Sequence, residues 1–527
     1  MKKLLPIILL ICFNSSAQTS ATISLNVKDI WATIDSTMVG FSFNPTYIGM
    51  NFSNSYNGVN NRDITANLFN NFYPFQQPAI RINGTNNSYW KSATFANAPS
   101  SYNSNASVFN CQYCPLGAPS VSTSIDATDV ANVQAFVNTL AYKPSLYWGI
   151  NLAFIDTARV ADFCNTAQSS LNNNTYLKFE LGNEPDAYES NARRLSGYNL
   201  NSYISEFNFV ADKVKKYGSI VAPALAKANP TSSTSWADSI GYFINQTASS
   251  NVSTISMHTY PLGSASSGTV SSFLNKYLSD TYTNDEVRNA STGLYPCIIT
   301  SNQNNLNFRL AESNTIAAGG MQGVSDVMGS ALWAIDMMFE LAKTKATGIN
   351  FATEGSSSVY YSPFTYNSSQ LIGSNKVVVN PIYYGALLFA RAAQNNAAII
   401  SNNISNKVNN PNIKVWSVKD NKNNCRILII NRGNSITDTT SGTFTISLPD
   451  NLNSGYVYKM GSSTTPSLQS ASVSIAGQRV DLNTGNLTGT ITPVTVAPTN
   501  GNYTFTVPAG TAALFEVYNG IYCNCTH

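Results

Sequence analysis

The sequence predicts an α/β protein, a (β/α)8 TIM barrel followed by a C-terminal antiparallel β-sandwich domain. Up to about residue 398, eight short apolar segments alternate with eight helical segments, which is the pattern of a barrel. Most of the apolar segments are nearly continuous in Val, Ile, Leu and Phe, as in parallel strands covered on both faces. Beyond that point the segments become short, alternating and β-branched, separated by Asn, Gly, Ser and Pro, which is typical of a sandwich.

The first residues of the chain have the features of a secretory signal peptide. Lys2 and Lys3 form a basic region, residues 4–13 an apolar core, and Ser15-Ser16-Ala17 a small-residue cleavage site. Residues 1–17 are therefore predicted to be removed by cleavage after Ala17. The mature protein is expected to be secreted or periplasmic.

The composition argues against several classes of partner. Only 11% of the residues are charged, and the formal net charge of +3 falls to +1 when Lys2 and Lys3 are removed. We therefore expect neither nucleic acid nor an anionic membrane as partner. No later apolar run is long enough to span a membrane. A lipoprotein attached at Cys12 is a minor alternative, because Ile11 stands where a small residue is expected.

The cysteines permit disulfides in a secreted protein. Removal of Cys12 from the eight cysteines leaves seven, so at least one thiol stays unpaired. Cys111 and Cys114 could form a local disulfide, a redox pair or half of a metal site. Because the chain has only two histidines, a zinc site would have few ligands. A loop disulfide or two free thiols is favoured, and no metal or cofactor is predicted.

The predicted barrel strands and helices alternate in strict order. The strands cover residues 39–44, 79–83, 146–152, 177–183, 219–224, 254–260, 308–312 and 348–353. The helices cover residues 63–72, 129–141, 157–171, 203–217, 235–247, 270–278, 323–345 and 381–394, where apolar residues recur at helical spacing. A doubly wound open sheet is the competing architecture, but the Gly-rich phosphate-binding turns that often accompany it are absent.

These elements divide the chain into four parts. Residues 1–17 form the signal peptide, residues 18–38 a segment expected to add a strand to the sandwich, residues 39–398 the barrel and residues 399–527 the sandwich. The candidate extra strand is the alternating segment 21–26. The sandwich strands are predicted at residues 415–418, 426–430, 442–448, 455–459, 471–474, 502–507 and 511–517.

Glu184 has the most informative position of the candidate chemical groups. It follows the fourth predicted strand in Gly182-Asn183-Glu184-Pro185, and Pro185 ends that strand because it has no N–H for the ladder. Active sites of barrels form at the carboxyl ends of the strands. Taken alone, Asn-Glu-Pro is more often an ordinary turn, since short motifs are only hypotheses.

Glu312 ends the seventh predicted strand, so two carboxyl groups can face one another across the barrel mouth. Acetal hydrolysis needs such a pair, because one group protonates the leaving oxygen while the other attacks or activates water. When the two carboxyl groups are about 5–5.5 Å apart, the reaction retains the anomeric configuration through a covalent intermediate; a wider separation leads to inversion. Glu354, at the end of the eighth strand, is a rival that spacing alone does not exclude.

Other charged residues have structural interpretations. Asp336 and Glu340 lie within the long helix and are expected to be structural. Glu180 has the same strand parity as Glu184, so it can point into the barrel and pair with Arg81.

His258 and Tyr260 end the sixth predicted strand. A lone histidine is more often a hydrogen-bonded structural residue than a catalyst. A single internal histidine also argues against a Ser-His-Asp triad, and no serine stands in a nucleophile-elbow context. Tyr260 is a candidate hydrogen-bond partner for a carboxylate nucleophile.

Several motifs together resemble a known family. They are Ile80-Arg81-Ile82-Asn83-Gly84-Thr85, Leu181-Gly182-Asn183-Glu184-Pro185, His258-Thr259-Tyr260, Ala311-Glu312-Ser313-Asn314 with Gly319-Gly320, and Asn380-Pro381-Ile382-Tyr383-Tyr384. In this order they resemble glycoside hydrolase family 79, the heparanase and β-glucuronidase family of retaining (β/α)8 glycosidases. The resemblance covers essentially the whole mature chain. Asn-Glu-Pro is shared by the wider clan, whereas the stretch after Ala311 is more specific.

The resemblance implies catalytic roles. Glu184 would be the acid/base and Glu312 the nucleophile, which demotes Glu354. Asn183 would hydrogen-bond the 2-hydroxyl of the sugar, and Tyr260 would orient Glu312.

The resemblance also implies substrate contacts. Gly319, Gly320 and Tyr383 match positions that hold a uronate carboxylate in family members, and backbone amides can bind a carboxylate without a nearby arginine. Thr85 matches another subsite contact. Asn83 and His258 complete the candidate substrate-binding residues.

The expected substrate is a glycan or glycoside with a β-linked uronic acid. Because the chain lacks dense Lys and Arg clusters that would hold a sulfated polymer, we expect exo cleavage of a terminal glucuronic acid, with or without a 4-O-methyl group. One alternative is a retaining β-glycosidase for a neutral sugar, and another is an endo-β-glucuronidase. A catalytically silent carbohydrate-binding protein is disfavoured because both carboxyl groups are in place.

Overall fold

The structure is a computed structural model. It describes residues 20–226, 236–279, 287, 294–355, 359–367, 369–405, 412–448, 453–462 and 465–518. The predicted signal peptide and its cleavage site lie outside these residues. In the described part of the chain, no helix is both long and apolar enough to cross a membrane.

Eight parallel strands close into a barrel, as the sequence predicts, and the open doubly wound sheet is excluded. Each strand pairs with its neighbour in chain order, and the eighth pairs with the first. Barrel strands 1 to 8 are Val39–Phe43, Ala79–Ile82, Ser145–Ile150, Tyr176–Leu181, Ser219–Leu225, Val252–Thr259, Asn307–Ser313 and Gly348–Thr353. Their carboxyl ends therefore meet at one mouth.

Helices surround the barrel at or near all the predicted positions. They are Ile48–Phe52, Asn61–Asn70, Ala127–Val137, Thr157–Leu171, Leu200–Val214, Ile240–Gln246, Val270–Tyr277, Tyr295–Gln303, Met328–Lys343 and Pro381–Ala392. The first and the eighth of these were not predicted. The long helix begins five residues later than predicted because Gly323 has a positive φ of 77° and Val327 is an extended N-cap.

Local sequence explains where several helices begin. Side chains of residues just before the first turn accept hydrogen bonds from its free N–H groups; these residues are Asn60, Asp126, Asp156 and Asn199. The long helix has no such side chain. Its first N–H groups, of Met328 and Gly329, donate to the carbonyls of Ser470 and Leu468 in the C-terminal domain.

The C-terminal domain is a ten-stranded sheet that encloses its own core. Its strands are Ser20–Thr33, Ala398–Ile404, Ile413–Lys419, Cys425–Asn431, Ser441–Ser447, Gly455–Gly461, Ser474–Ile475, Val494–Val496, Asn502–Pro508 and Thr511–Val517. The N-terminal segment adds a strand, as predicted. It pairs antiparallel with Ala398–Ile404 and parallel with Ser441–Ser447, so the sheet is mixed rather than purely antiparallel.

Buried charges join the long helix Met328–Lys343 to the sandwich. Asp336 accepts hydrogen bonds from Arg432 (2.6 Å) and Trp416 (2.8 Å). Lys414 Nζ lies 2.8 Å from Glu340 Oε1. Asp336 and Glu340 are fully buried, so the structural role expected for both is confirmed.

Replacing Lys414 by alanine is expected to lower the free energy of unfolding by about 3–5 kcal/mol, because Glu340 keeps a buried charge without its lysine. Urea denaturation followed by tryptophan fluorescence measures this change. Lys213→Ala is the matched control, since Lys213 is exposed and lies 3.8 Å from the exposed Asp212; it should cost less than about 0.5 kcal/mol. Equal effects of the two changes would contradict the role of the buried pair.

Candidate active site

The guanidinium of Arg81, on barrel strand 2, lies at the centre of the mouth and is fully buried. Its Nε lies 2.6 Å from Glu180 Oε2, and its Nη1 lies 2.8 Å from Glu312 Oε2. Nη1 also donates to Ser42 (2.9 Å), and Nη2 donates to Asn183 Oδ1 (3.0 Å). One cation therefore holds two carboxylates and the amide beside Glu184, and the expected pairing of Arg81 with Glu180 is present.

Glu312 is held in its ionised form by its neighbours. The Tyr260 hydroxyl donates to Oε1 over 2.7 Å while Arg81 donates to Oε2. Burial raises the pKa of Glu312, but its basic neighbours His258 and Arg81 and the Tyr260 hydrogen bond outweigh burial and lower the pKa below its usual value. A carboxylate that stays ionised is suited to nucleophilic attack.

Glu184 occupies an unusual backbone position in the turn that follows barrel strand 4. Its φ of 53° and ψ of 54° are left-handed, and Pro185 begins a short 3-10 turn. Its N–H donates to the carbonyl of Ala224 at the end of strand 5 (2.9 Å). A left-handed non-glycine residue costs about 1–3 kcal/mol and is common at functional sites. The neighbouring strand thus holds the carboxyl group at the mouth.

His258 connects Glu184 to Arg81. Its Nε2 lies 3.1 Å from Arg81 Nη2 and its Nδ1 lies 3.1 Å from Glu184 Oε1. Burial lowers the pKa of His258, but the charge of Glu312 and the hydrogen bond to Glu184 outweigh burial and raise the pKa above its usual value. In the neutral ring Nε2 accepts from Arg81, because a guanidinium can only donate, and Nδ1 carries the proton. His258 then donates to Glu184.

The two catalytic candidates face one another closely. One carboxylate oxygen of Glu184 and one of Glu312 lie within 4.8 Å of each other. An oxygen–oxygen distance this short fits the carboxyl spacing of retaining glycosidases, about 5–5.5 Å, better than the wider spacing that leaves room for the water of an inverting enzyme.

Neither of two clusters of potential ligand atoms suits a metal ion. Glu184, His258 and Glu312 offer ligand atoms within 4.8 Å of one another, but the Arg81 cation adjoins them and both ring nitrogens are engaged. In the other cluster, Cys111 and Cys114 form a disulfide, and the nearby Glu206 already pairs with Arg194.

Asn183 and Asn83 lie in the same polar network. Asn183 is buried and accepts from Arg81 through Oδ1; its Nδ2 has no partner among the described residues, so it remains able to donate. Asn83 donates through Nδ2 to Glu180 Oε2 (2.7 Å) and to the Gly182 carbonyl (3.1 Å). Its amide therefore supports Glu180, and both of its hydrogen-bonding partners are protein atoms.

The structure places the other predicted substrate contacts in two loops. Thr85 follows strand 2, and its hydroxyl accepts from the N–H of Asn87 (3.1 Å). Gly319 and Gly320 lie between strand 7 and the long helix with φ of 97° and 83°, a conformation that favours glycine. The Gly319 carbonyl accepts from the N–H of Tyr360 (2.7 Å).

The expected substrate contact of Tyr383 is not found. Its side chain is fully buried, and its hydroxyl donates to the Leu68 carbonyl (2.8 Å) and accepts from Asn71 Nδ2 (3.0 Å). The reason is that this face of the helix Pro381–Ala392 packs against the helix Asn61–Asn70 and the residues that follow it. Tyr383 is therefore corrected to a packing residue.

Two further residues belong to the site, and the contacts they make there were not predicted. Ser42 supports Arg81, and a lone polar residue within the apolar strand 1 was its only signal. Tyr361 donates to Glu354 Oε1 over 3.0 Å, and its ring centroid lies 6.0 Å from that of Tyr260. No sequence pattern indicates the contact between the rings of Tyr361 and Tyr260, because the two tyrosines come from different barrel loops.

The long loop after strand 2 is fixed to the loop that follows Glu184. Of the two alternatives favoured for Cys111 and Cys114 in the long loop, the local disulfide is the one present. The Leu195 N–H donates to the Tyr113 carbonyl over 2.8 Å, and Arg193 donates to the Ser120 carbonyl over 2.7 Å. These contacts join the two loops along one side of the mouth.

Comparison with known proteins supports the fold. No family model matches the sequence, and no curated protein matches it. A 4-O-α-L-rhamnosyl-β-D-glucuronidase from Fusarium oxysporum 12S is 17% identical with a TM-score of 0.70, covering 94% of this chain and 100% of that chain. A family 51 α-L-arabinofuranosidase from Bifidobacterium longum is 14% identical with a TM-score of 0.60, and the match covers 94% of this chain and 99% of that chain.

A third similar structure is the catalytic domain of a family 30 xylanase C from Talaromyces cellulolyticus, 13% identical with a TM-score of 0.52, covering 94% of this chain and 100% of that chain. At these identities the likeness establishes that the chain has the (β/α)8 fold of glycoside hydrolases. The resemblance to family 79 stays a prediction.

Tyr260→Phe is expected to lower kcat/KM for an aryl glycoside about 10- to 100-fold, because it removes one hydrogen bond to the Glu312 carboxylate. It should also raise the pKa of Glu312, so the acid limb of the kcat/KM profile should shift to higher pH. Steady-state rates between pH 3 and pH 8 measure both effects. Tyr242→Phe, at an exposed tyrosine, is the control. An unchanged acid limb would contradict the assignment of Tyr260.

Proposed function

We propose that the protein is a secreted retaining glycoside hydrolase, an exo-acting β-glucuronidase that removes terminal glucuronic acid from glycans or glycosides. The observation that carries the proposal is the close pair of Glu184 and Glu312, with Glu312 held ionised by Arg81 and Tyr260. Such a pair is what double displacement at an acetal carbon requires.

In the first step Glu312 attacks the anomeric carbon while Glu184 gives its proton to the leaving glycosidic oxygen. The C–O bond to the aglycone breaks, and an ester bond forms between the sugar and Glu312. Asn183, whose Nδ2 is unused by the described residues, is suited to hydrogen-bond the 2-hydroxyl, a contact that strengthens in the transition state.

In the second step Glu184 removes a proton from water, which attacks the same carbon and releases Glu312 as a carboxylate. Formation of the ester has removed the negative charge of Glu312, so Arg81 retains one carboxylate partner, Glu180, instead of two. The local potential is then more positive, and the Nδ1–H of His258 points at Glu184 (3.1 Å). A carboxylate is the form of Glu184 that can accept the proton of water.

The preference for a uronate rests on three supports. The motifs around Glu312 resemble those of family 79. The chain resembles in fold a rhamnosyl-glucuronidase whose structure holds a Rha-GlcA ligand. The Gly319 carbonyl accepts from the N–H of Tyr361, whose ring lies beside that of Tyr260, the tyrosine bonded to Glu312; the amides of this loop are therefore suited to meet a sugar carboxylate. Low charge favours a terminal glucuronide over a sulfated polymer. Secretion is proposed from the N-terminal sequence alone.

The carboxyl pair is tested with p-nitrophenyl β-glucuronide and the matched glucoside, galactoside and xyloside. Glu312→Ala should abolish turnover, lowering kcat at least about 1,000-fold. Glu184→Ala should lower kcat/KM far more for an alkyl glucuronide than for the aryl glucuronide, because p-nitrophenolate needs little protonation. Activity that survives in Glu312→Ala would exclude it as nucleophile.

Substrate preference and the stereochemistry of the reaction are tested separately. Glucuronide should be the preferred glycoside, and NMR should detect the β-anomer of the sugar as the first product. A preference for a neutral glycoside would replace the uronate proposal, and a first-formed α-anomer would contradict double displacement. Binding of glycosides without turnover of any would favour a carbohydrate-binding protein.

A further inference from the structure

Glu354 is a carboxyl group at the barrel mouth that the proposed reaction does not use. It directly follows barrel strand 8 and is partly exposed. The Ser362 hydroxyl accepts from the N–H of Glu354 over 2.8 Å and donates to its carbonyl over 3.0 Å. Because Ser362 holds the backbone on both sides, the carboxyl group stays at the mouth.

The Glu354 side chain is linked to the nucleophile and to the Gly319-Gly320 loop through Tyr361. The Tyr361 hydroxyl donates to Glu354 Oε1 (3.0 Å), and its ring lies beside that of Tyr260, the tyrosine bonded to Glu312. The N–H of Tyr361 lies 3.3 Å from the Gly319 carbonyl. Glu354 Oε2 has no hydrogen-bond partner in the described part of the chain, so it is free to meet a ligand.

The groups that face Glu354 are acidic or neutral. They are Glu312 from strand 7, Tyr260 just after strand 6 and Tyr361 from the loop after strand 8. Tyr47 approaches the adjacent Gly355. No lysine or arginine among the described residues forms an ion pair with Glu354, since Arg81 is occupied by Glu180 and Glu312.

This environment favours the neutral acid. Burial raises the pKa of Glu354, and the charge of Glu312 raises it further, against a smaller lowering by the Tyr361 hydrogen bond. In the neutral state Oε1 can keep the Tyr361 hydrogen bond while Oε2 carries the proton. Glu354 can then donate one hydrogen bond into the pocket.

The sugar ring determines what would meet that donor. With the anomeric carbon at Glu312 and the 2-hydroxyl towards Asn183 on the strand 4 side, the carbon-5 substituent lies across the ring from carbon 2. It therefore projects towards strands 7 and 8, where Gly319 and Glu354 lie. In a glucuronide this substituent is a carboxylate, which accepts strongly from a carboxylic acid.

We propose that Glu354 is a specificity-determining residue that, as a neutral carboxylic acid, donates a hydrogen bond to the carboxylate of the substrate uronate. The inference rests on the proposed function. The proton stays on Glu354 throughout, and no bond to carbon is made or broken there. When Glu354 ionises, the donor is lost and two carboxylates repel one another, so uronide cleavage falls. A neutral glycoside has a hydroxymethyl group at carbon 5 and is affected little.

The test measures kcat/KM for p-nitrophenyl β-glucuronide and β-glucoside from pH 4.5 to pH 8. The glucuronide-to-glucoside ratio of the wild-type enzyme should fall at least about tenfold as pH rises. The shared catalytic groups affect both substrates and cancel in the ratio. Glu354→Gln, which keeps a donor but does not titrate, should give a ratio independent of pH. Glu354→Ala should lower the ratio about 10- to 100-fold at pH 4.5.

Asp212→Asn, at an exposed carboxylate on the outer helix Leu200–Val214, is the matched control and should leave the ratio unchanged. A wild-type ratio that does not vary with pH would overturn the proposal. The proposal would also be overturned if the glucuronide-to-glucoside ratio of Glu354→Gln exceeded the wild-type ratio at every pH. Glu354 would then be an ionised group that only repels uronates. Turnover of the glucoside with none of the glucuronide at any pH would instead overturn the proposed function, and this inference with it.

Discussion

The site depends on the placement of the buried Arg81 guanidinium between two carboxylates. Its contacts of 2.6 Å with Glu180 and 2.8 Å with Glu312 compensate a desolvation cost of several kcal/mol per buried ion. Removing the cation would leave two buried negative charges, which would take up protons. Because Arg81 also contacts Asn183 and His258, the same residue orients the side of the site that carries Glu184. The ionisation of Glu312 is thus a property of the barrel interior.

Buried ion pairs between the barrel and the sandwich extend this dependence outward. The long helix Met328–Lys343 follows the Gly319-Gly320 loop, and sandwich residues bond both its first N–H groups and its buried carboxylates. Such pairs are satisfied in one geometry only, since a displaced partner leaves an unpaired charge. The sandwich therefore fixes the start of the helix that follows the Gly319-Gly320 loop.

Much of the fold and the centre of the site could be predicted from the sequence. Continuous apolar runs ending in polar residues identified all eight strands, and hence Glu184 and Glu312 at one mouth. The helix Tyr295–Gln303 escaped prediction because its apolar pattern is weak. Tyr383 was misassigned because a motif does not reveal which face of a helix packs inward. The contact of Glu354 with Tyr361 depends on how a loop folds back, which leaves no periodic signal.

The central claim is that Glu312, held ionised by Arg81 and Tyr260, attacks the anomeric carbon of a β-glucuronide. The most direct measurement is to incubate the protein with 2-deoxy-2-fluoro-β-glucuronyl fluoride, a substrate whose glycosyl-enzyme breaks down slowly, and to map the modified peptide by mass spectrometry. The account predicts one added fluoroglucuronyl group per chain, on Glu312. A label on Glu184 or Glu354 would contradict it, as would the absence of any label when the reagent is turned over.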